Sequence, residues 1–186
     1  MTMDLKHLTY AEYLALPEMK ARYSIIDGEL VMAAAPTTEH QRAILELALK
    51  LTPFTRERRL GEAFIAPLDI VIRRDPLRTR QPDLLFVSNA RRYIIGQQVI
   101  EGGPDLVIEI LSPTNTRREL EAKLQDYRAI GVREAWVISP QARTVEVLQL
   151  SASGLERSGL YGLGDFIVSQ VLPELRLTVD EVFPEP

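Results

Sequence analysis

The stretch GGPDLVIEILSPTN, residues 102–115, decides how the chain is read. Within it LVIEIL, residues 106–111, is a short apolar run bounded by turn-forming residues. Runs of this length and setting form buried strands. One carboxylate, Glu109, stands in the middle. Acidic side chains are almost never fully buried unless paired, and an unpaired buried charge is costly. The strand therefore predicts a partner for Glu109 elsewhere in the chain.

Working outward, the strand-like run 83–87 in QPDLLFV precedes it and a helix over 116–130 follows it. Alternate strand residues share a face. Asp83, Leu85 and Val87 therefore point together, as do Val107, Glu109 and Leu111. Each strand carries one carboxylate on an otherwise apolar face, and pairing of the strands would let the two converge. In the helix, Thr116 and Glu119 make a capping box and Gly131 is a natural stop. Leu120, Leu124 and Tyr127 form its apolar stripe, with Lys123 at the margin. From there Lys123 can reach back toward Glu109. Simpler roles exist for each residue. Asp83 follows Pro82 at a strand start, where a turn role is common. Lys123 lies four residues after Glu119 and could form a helix-surface pair. A buried ion pair between Glu109 and Lys123 would explain those two and leave Asp83 unexplained.

The rest of the chain reads as mixed α/β. A short helix is expected over 9–16, with Thr9 and Glu12 as a capping box and Pro17 ending it. Strands over 23–26 and 29–32 flank Asp27-Gly28, a strong hairpin signal. A helix is expected over 38–58, kinked or divided at Pro53. One strand is expected over 63–72, with Pro67 marking an edge or bulge, then a loop, RRDPLRTR, over 73–80. Strands follow over 135–138, 144–150 and 155–161, and the tail beyond 168 reads as a short appended segment. Trp136 belongs in the core rather than on a base-stacking platform. Strand runs with two main helices between them suggest a mixed sheet, not a regular βαβ repeat.

Composition bounds the function. The chain has 186 residues, 46% hydrophobic and 26% charged, with a net charge of −4. That suits one globular domain over 1–186. Net acidity argues against broad adhesion to nucleic acid and leaves room for a local basic groove. The chain has no cysteine and two histidines, His7 and His40. Thiolate metal sites are excluded and a histidine-rich zinc site is disfavoured, so a metal here is expected to be a hard cation held by oxygen. The N-terminus carries no secretory signal pattern and no segment has the apolar length of a membrane span, which with the lack of cysteine sets a cytoplasmic expectation. Arginines cluster at Arg73, Arg74, Arg78 and Arg80, at Arg91 and Arg92, and at Arg117 and Arg118. They lie beside the acidic positions in sequence, as a phosphate-binding rim would, or they form a solvated surface.

Pro82-Asp83, then Glu109-Ile110-Leu111, then a helical lysine resemble the PD-(D/E)XK nuclease superfamily. In its common version the lysine stands two residues after the second acid. Here that position is Leu111, and Lys123 looks like the migrated replacement. More specifically, LTYAEYLALPE, IDGELVM, the histidine of TTEHQR, QPDLLFV, GGPDLVIEILSPTN, the helix with Lys123 and Tyr127, GVREAWVISP and VLPELRLTVDEVF are similar, in order, to the Uma-two family of restriction endonucleases. The resemblance covers nearly the whole chain. It implies a restriction-endonuclease-like mixed β-sheet flanked by helices and a divalent-metal-dependent DNA endonuclease. Asp83 and Glu109 would hold magnesium, or manganese, with the Ile110 carbonyl, and Lys123 would assist the attacking water. Glu29 would be a further acidic group. Two departures stand out: Glu119 where the family often has aspartate, and Ser24 where it commonly has glutamate. A homodimer is expected from two-strand cleavage. Two other readings compete: a catalytically idle nucleic-acid-binding or regulatory module on the same fold, and a dimerisation domain in which Lys123 serves only Glu109.

Overall fold

The computed structural model describes residues 7–17, 22–32 and 35–184. The chain begins with α1 (Tyr10–Leu14), the hairpin β1 (Tyr23–Ile26) and β2 (Glu29–Met32), and the long helix α2 (Thr38–Glu57). Strands β3 (Gly61–Ile65), β4 (Asp69–Arg74), β5 (Leu77–Arg80), β6 (Leu84–Ser88), β7 (Val99–Ile100) and β8 (Leu106–Ile110) follow. Helix α3 (Arg117–Ala129) leads to β9 (Glu134–Ser139), β10 (Thr144–Ser151), β11 (Gly154–Tyr161) and the short α4 (Val179–Val182).

The 106–111 run is the buried strand it promised to be, covered at every position of β8. It sits inside a six-stranded sheet of order β11-β10-β9-β8-β6-β3. The pairing β8–β9 is parallel and spans α3; the remaining pairs are antiparallel. Strand alternation sorts the side chains. Leu106, Ile108 and Ile110 join Leu84 and Phe86 against Ala43, Ile44, Leu47 and Leu51 of α2. On the opposite face Val107, Leu85 and Val87 pack on Leu124 and Tyr127 of α3. Each large aliphatic side chain buried this way is worth about 1.5–3 kcal/mol. This is the restriction-endonuclease-like mixed sheet between helices expected from the sequence.

A three-stranded sheet, β5-β4-β7, and the β1–β2 hairpin form a second layer around Leu8, Tyr13, Ile25, Val71, Leu77 and Val99. The hairpin turns at Asp27 (φ 52°) and Gly28 (φ 84°), the left-handed pair that a two-residue turn requires. Both capping-box expectations hold: Thr9 with Glu12 opens α1, and Thr116 with Glu119 opens α3.

Four expectations are corrected. The segment 63–72 is two strands in different sheets, β3 and β4, because the chain turns out of the first sheet at Pro67. RRDPLRTR is not a loop: Asp75-Pro76 is a tight turn between β4 and β5, and Leu77 and Thr79 face inward while Arg78 and Arg80 alternate outward. Helix α2 runs undivided through Pro53. The carbonyl that Pro53 leaves without a donor belongs to Leu49, on the exposed face where water can serve it. The tail is not appended. Ile167, Leu172, Leu175, Leu177, Val179 and Val182 complete the core on the α2 face.

One buried carboxylate ties that tail to the sheet. Glu134 is fully buried. It accepts from Trp136 Nε1 at 2.8 Å, Gln149 Nε2 at 2.8 Å, Ser169 Oγ at 2.5 Å and the Gln170 N–H at 2.7 Å. Glu134→Ala strands several buried donors at once, and urea unfolding should show a loss of about 3 kcal/mol or more. A loss below about 1 kcal/mol would mean that the tail is held by its apolar contacts alone.

Candidate active site

The two carboxylates meet because of the β6–β8 register. Leu84 lies opposite Ile108 and Leu85 opposite Val107. One step further along that register sets Asp83 opposite Glu109, and the Asp83 N–H donates to the Ile108 carbonyl at 3.0 Å. Both residues are buried. Both line a cavity of about 100 Å³, together with Arg22, His40, Ile110 and Lys123.

Glu109 has its partners on α3. Lys123 Nζ is 2.6 Å from Oε2, and the Tyr127 hydroxyl donates to Oε1 at 2.5 Å. The helical stripe explains both: Tyr127, one turn beyond Lys123, is on the buried face, and Lys123 is at its edge with a quarter of its side chain exposed. Burial pushes the Tyr127 phenol well above its ordinary value, and the Glu109 charge pushes the same way, so the hydroxyl stays a donor.

Asp83 is held from three other elements. Arg22, just before β1, donates to Oδ1 at 2.7 Å and to the Gln81 carbonyl at 3.0 Å. The Ile110 N–H donates to Oδ2 at 2.7 Å. His40, in the first turn of α2, sets Nε2 3.2 Å from Oδ2. His40 is buried, and among the described residues its Nδ1 has no hydrogen-bond partner. Burial alone raises the Asp83 carboxyl; the His40 hydrogen bond, the Arg22 charge and the Ile110 N–H outweigh it, and the group sits below its ordinary value.

Of the residues singled out in the sequence, Asp83, Glu109, Ile110 and Lys123 are brought together. Glu29 is not. It is exposed at the turn end of the hairpin, opposite Ile26, whereas Tyr23 and Ser24 at the other end line the cavity. The hairpin thus turns Ser24 toward the acids, at the position where the resembling family carries glutamate. Accordingly, among the described residues no group of three or more His, Cys, Asp or Glu side chains is arranged to hold a metal. Two carboxylates still suit magnesium, which takes one or two and keeps water as its other ligands.

The arginine rim is corrected in part. Arg80 is engaged by Asp126 at 2.7 Å, and Arg78 by Asp126 at 3.2 Å and Asp27 at 3.1 Å, both largely covered. Arg73 pairs with Asp27, Arg74 with Glu101, Arg92 with Glu62 and Arg117 with Glu121. Arg91 donates to the carbonyls of Gly103 and Gly131. Arg78, Arg80 and Arg91 are thus engaged within the protein, whereas the pairs of Arg73, Arg74, Arg92 and Arg117 are exposed surface pairs of little weight, and among the described residues Arg118 is in no ion pair. Sequence reasoning missed Arg22 altogether, since it lies outside any periodic segment. It named His40 as one of two histidines and within TTEHQR, and Tyr127 as part of the apolar stripe and of the resembling helix, without giving either a partner at the site.

The Asp83 shift carries a sign. A folded-state value below the unfolded one means that its contribution to stability is complete above about pH 4 and is lost as pH falls through the lower folded value. Urea unfolding of native protein and Asp83→Asn should differ clearly at pH 6, and the gap should narrow at pH 3. A gap of equal size at both values would remove the ionised carboxylate as the stabilising species.

Three comparisons bear on this arrangement. A crystal structure described as a putative nuclease belonging to DUF820, from Anabaena variabilis, superposes with a TM-score of 0.77 over 95% of this chain and 97% of that one, at 21% identity. The likeness in fold is thus nearly complete. An uncharacterized protein of Synechocystis is 26% identical over 137 residues, covering 73% of this chain and 76% of that protein. The family model Uma2, described as putative restriction endonuclease, matches residues 10–180. That match spans every element that builds the cavity, from the hairpin through α3, and the chain belongs to the Uma2 family.

Proposed function

We propose that the protein is a divalent-metal-dependent endonuclease that hydrolyses DNA phosphodiester bonds. The observation that carries the reading is the meeting of Asp83, Glu109 and Lys123 in one cavity, on adjacent strands and the helix that follows them. Asp83 and Glu109 are the metal ligands, with the Ile110 carbonyl. A bound magnesium or manganese ion supplies neutralisation of the phosphate charge and a water of lowered pKa. Each carboxylate oxygen has two acceptor directions, so Arg22 and Lys123 can remain bonded while an oxygen also faces a cation. Tyr127 fixes the Glu109 carboxylate. Lys123 keeps a donor and a positive charge at the cavity mouth, able to orient the attacking water and to stabilise charge that develops on the phosphate.

A path for a strand supports this reading. Ser112 and Asn115 line both the site cavity and a neighbouring one of about 210 Å³. Glu39 and Pro140 connect the latter to a cavity of about 540 Å³ lined by Arg42 and Arg143. Among the described residues Arg42 is in no ion pair, which leaves it for phosphate. Cutting both strands takes two such sites, which a two-fold dimer supplies.

A second reading has its own observation. Arg22 already neutralises Asp83, and Lys123 already neutralises Glu109. A site balanced in this way could bind nucleic acid without turning it over. Supercoiled plasmid and labelled duplex, incubated with magnesium or manganese and with chelator, separate the two. Metal-dependent nicking or linearisation is expected, with Lys123→Met about 100-fold slower at an unchanged fold. DNA binding without metal-dependent cutting would favour the idle module. Equal cutting by Lys123→Met would reduce the lysine to a structural partner of Glu109.

A further inference from the structure

Asp83 and Glu109 are each matched by one cation, but their open acceptor directions differ. Asp83 Oδ2 takes the Ile110 N–H at 2.7 Å and a hydrogen bond from His40 Nε2 at 3.2 Å. A carboxylate oxygen has two acceptor directions, so Oδ2 is full. Oδ1 takes Arg22 Nη1 at 2.7 Å and, among the described residues, nothing else. The open direction on this carboxylate is therefore on the oxygen that Arg22 already holds. On Glu109, Lys123 bonds Oε2, whereas Oε1 takes the neutral Tyr127 hydroxyl. A metal cation can meet Glu109 on an oxygen without a positive partner. At Asp83 it has to share its oxygen with a guanidinium.

Arg22 is also held from a second side, since Nη2 donates to the Gln81 carbonyl at 3.0 Å. Its side chain lines the cavity and is 24% exposed against 3% for Asp83, so it is the accessible half of the pair. Nη1 and Nη2 each use one N–H in these contacts, and each carries a second. The cavity sets two carboxylates against Arg22 and Lys123. A divalent ion added to that balance leaves positive charge uncompensated in about 100 Å³, with Arg22 on the same oxygen. Like charges that close repel strongly where water is partly excluded. An anion bonded to the guanidinium offsets the repulsion, and phosphate matches the arginine fork.

We propose that Arg22 makes metal loading depend on substrate: it holds Asp83 Oδ1 against a divalent cation until a phosphate of the nucleic acid shares its guanidinium. The proposal rests on the nuclease reading of this site. In the free protein Arg22 serves Asp83 alone and keeps cation affinity low. With a strand in the cavity it also donates to a phosphate oxygen, and cation and strand then favour each other. Such coupling is reciprocal, so the factor by which the strand tightens metal binding is the factor by which metal tightens strand binding. The two acids are thereby loaded chiefly when substrate is present. Lys123 imposes no such dependence, because Glu109 keeps an oxygen whose partner is neutral.

Calorimetric titration of manganese into the free protein at neutral pH tests the first half. Arg22→Gln and Arg22→Met remove the charge while Ile110 and His40 still hold Oδ2. Each should bind manganese about tenfold more tightly than the native chain. Arg22→Lys, which keeps the charge, should stay near the native value. The second half is read as manganese affinity with and without a short DNA duplex, in Lys123→Met so that cutting is slow. The duplex should tighten manganese binding about tenfold more with Arg22 in place than with Arg22→Gln in the same background. Neutral variants that bind manganese no more tightly than the native chain would overturn the proposal. So would a protein with Arg22 whose manganese affinity is the same with and without duplex, or coupling of equal size with and without Arg22. In those cases manganese-dependent cutting would leave the nuclease reading standing. Failure of manganese to bind any of these proteins, with or without duplex, would overturn the metal reading itself, and the proposal with it.

Discussion

A carboxylate in the middle of a buried strand is the constraint from which the rest follows. Glu109 cannot sit on β8 without compensation, and α3 supplies it through Lys123 and Tyr127. That requirement sets the rotation of α3 about its axis, because the two donors must both face the strand. It also fixes how β6 approaches. With Leu84 against Ile108, Asp83 comes to lie beside Glu109 and needs its own partners, found in Arg22, His40 and the Ile110 N–H. Two like charges are thereby held at one end of a sheet, each neutralised from a different side. Such an arrangement stores little stability: paired buried charges are often worth no more than an apolar replacement. It does give a site in which oxygen donors and cations share a small cavity, and chemistry at a phosphate needs both.

Much of this was legible before the structure, for definite reasons. The LVIEIL run is short, bounded and apolar, so β8 and the peculiarity of Glu109 could be read locally. Thr116, Glu119 and Gly131 delimit α3, and spacing of 3.6 residues placed Lys123 beside its apolar face. Asp27-Gly28 announced the hairpin. What escaped depended on contacts far apart in sequence. Arg22 reaches Asp83 across 61 residues and belongs to no periodic pattern. The tail residues from Ile167 to Val182 are spaced for irregular packing, which has no signature. The arginine clusters misled because sequence shows a charge but not its partner; Asp126 engages Arg78 and Arg80 from a helix more than 40 residues away. The β5 alternation of Leu77 and Thr79 with Arg78 and Arg80 was present in the letters, masked by the density of charge around it.

The hairpin connects architecture to chemistry. It brings Arg22, Tyr23 and Ser24 to the cavity while its turn anchors against β5, where the Gly28 N–H donates to the Leu77 carbonyl at 2.8 Å. The same turn carries Glu29 away from the acids. The cavity is therefore built from two carboxylates, the cations Arg22 and Lys123, His40 against Asp83, and, among the described residues, a rim without further Asp, Glu, Lys or Arg. Neighbouring cavities extend it in two directions, toward Asp69 on one side and toward Arg42 on the other.

The central claim is that Asp83 and Glu109 together hold a divalent cation. Crystals soaked in manganese, examined for anomalous scattering, test it most directly. The account predicts one peak in the cavity within bonding reach of both carboxylates, at about 2.0–2.1 Å from the oxygens when magnesium replaces manganese, and its disappearance in Asp83→Asn. A cavity with no peak at millimolar metal, and with Arg22 and Lys123 still paired to the two acids, would contradict it.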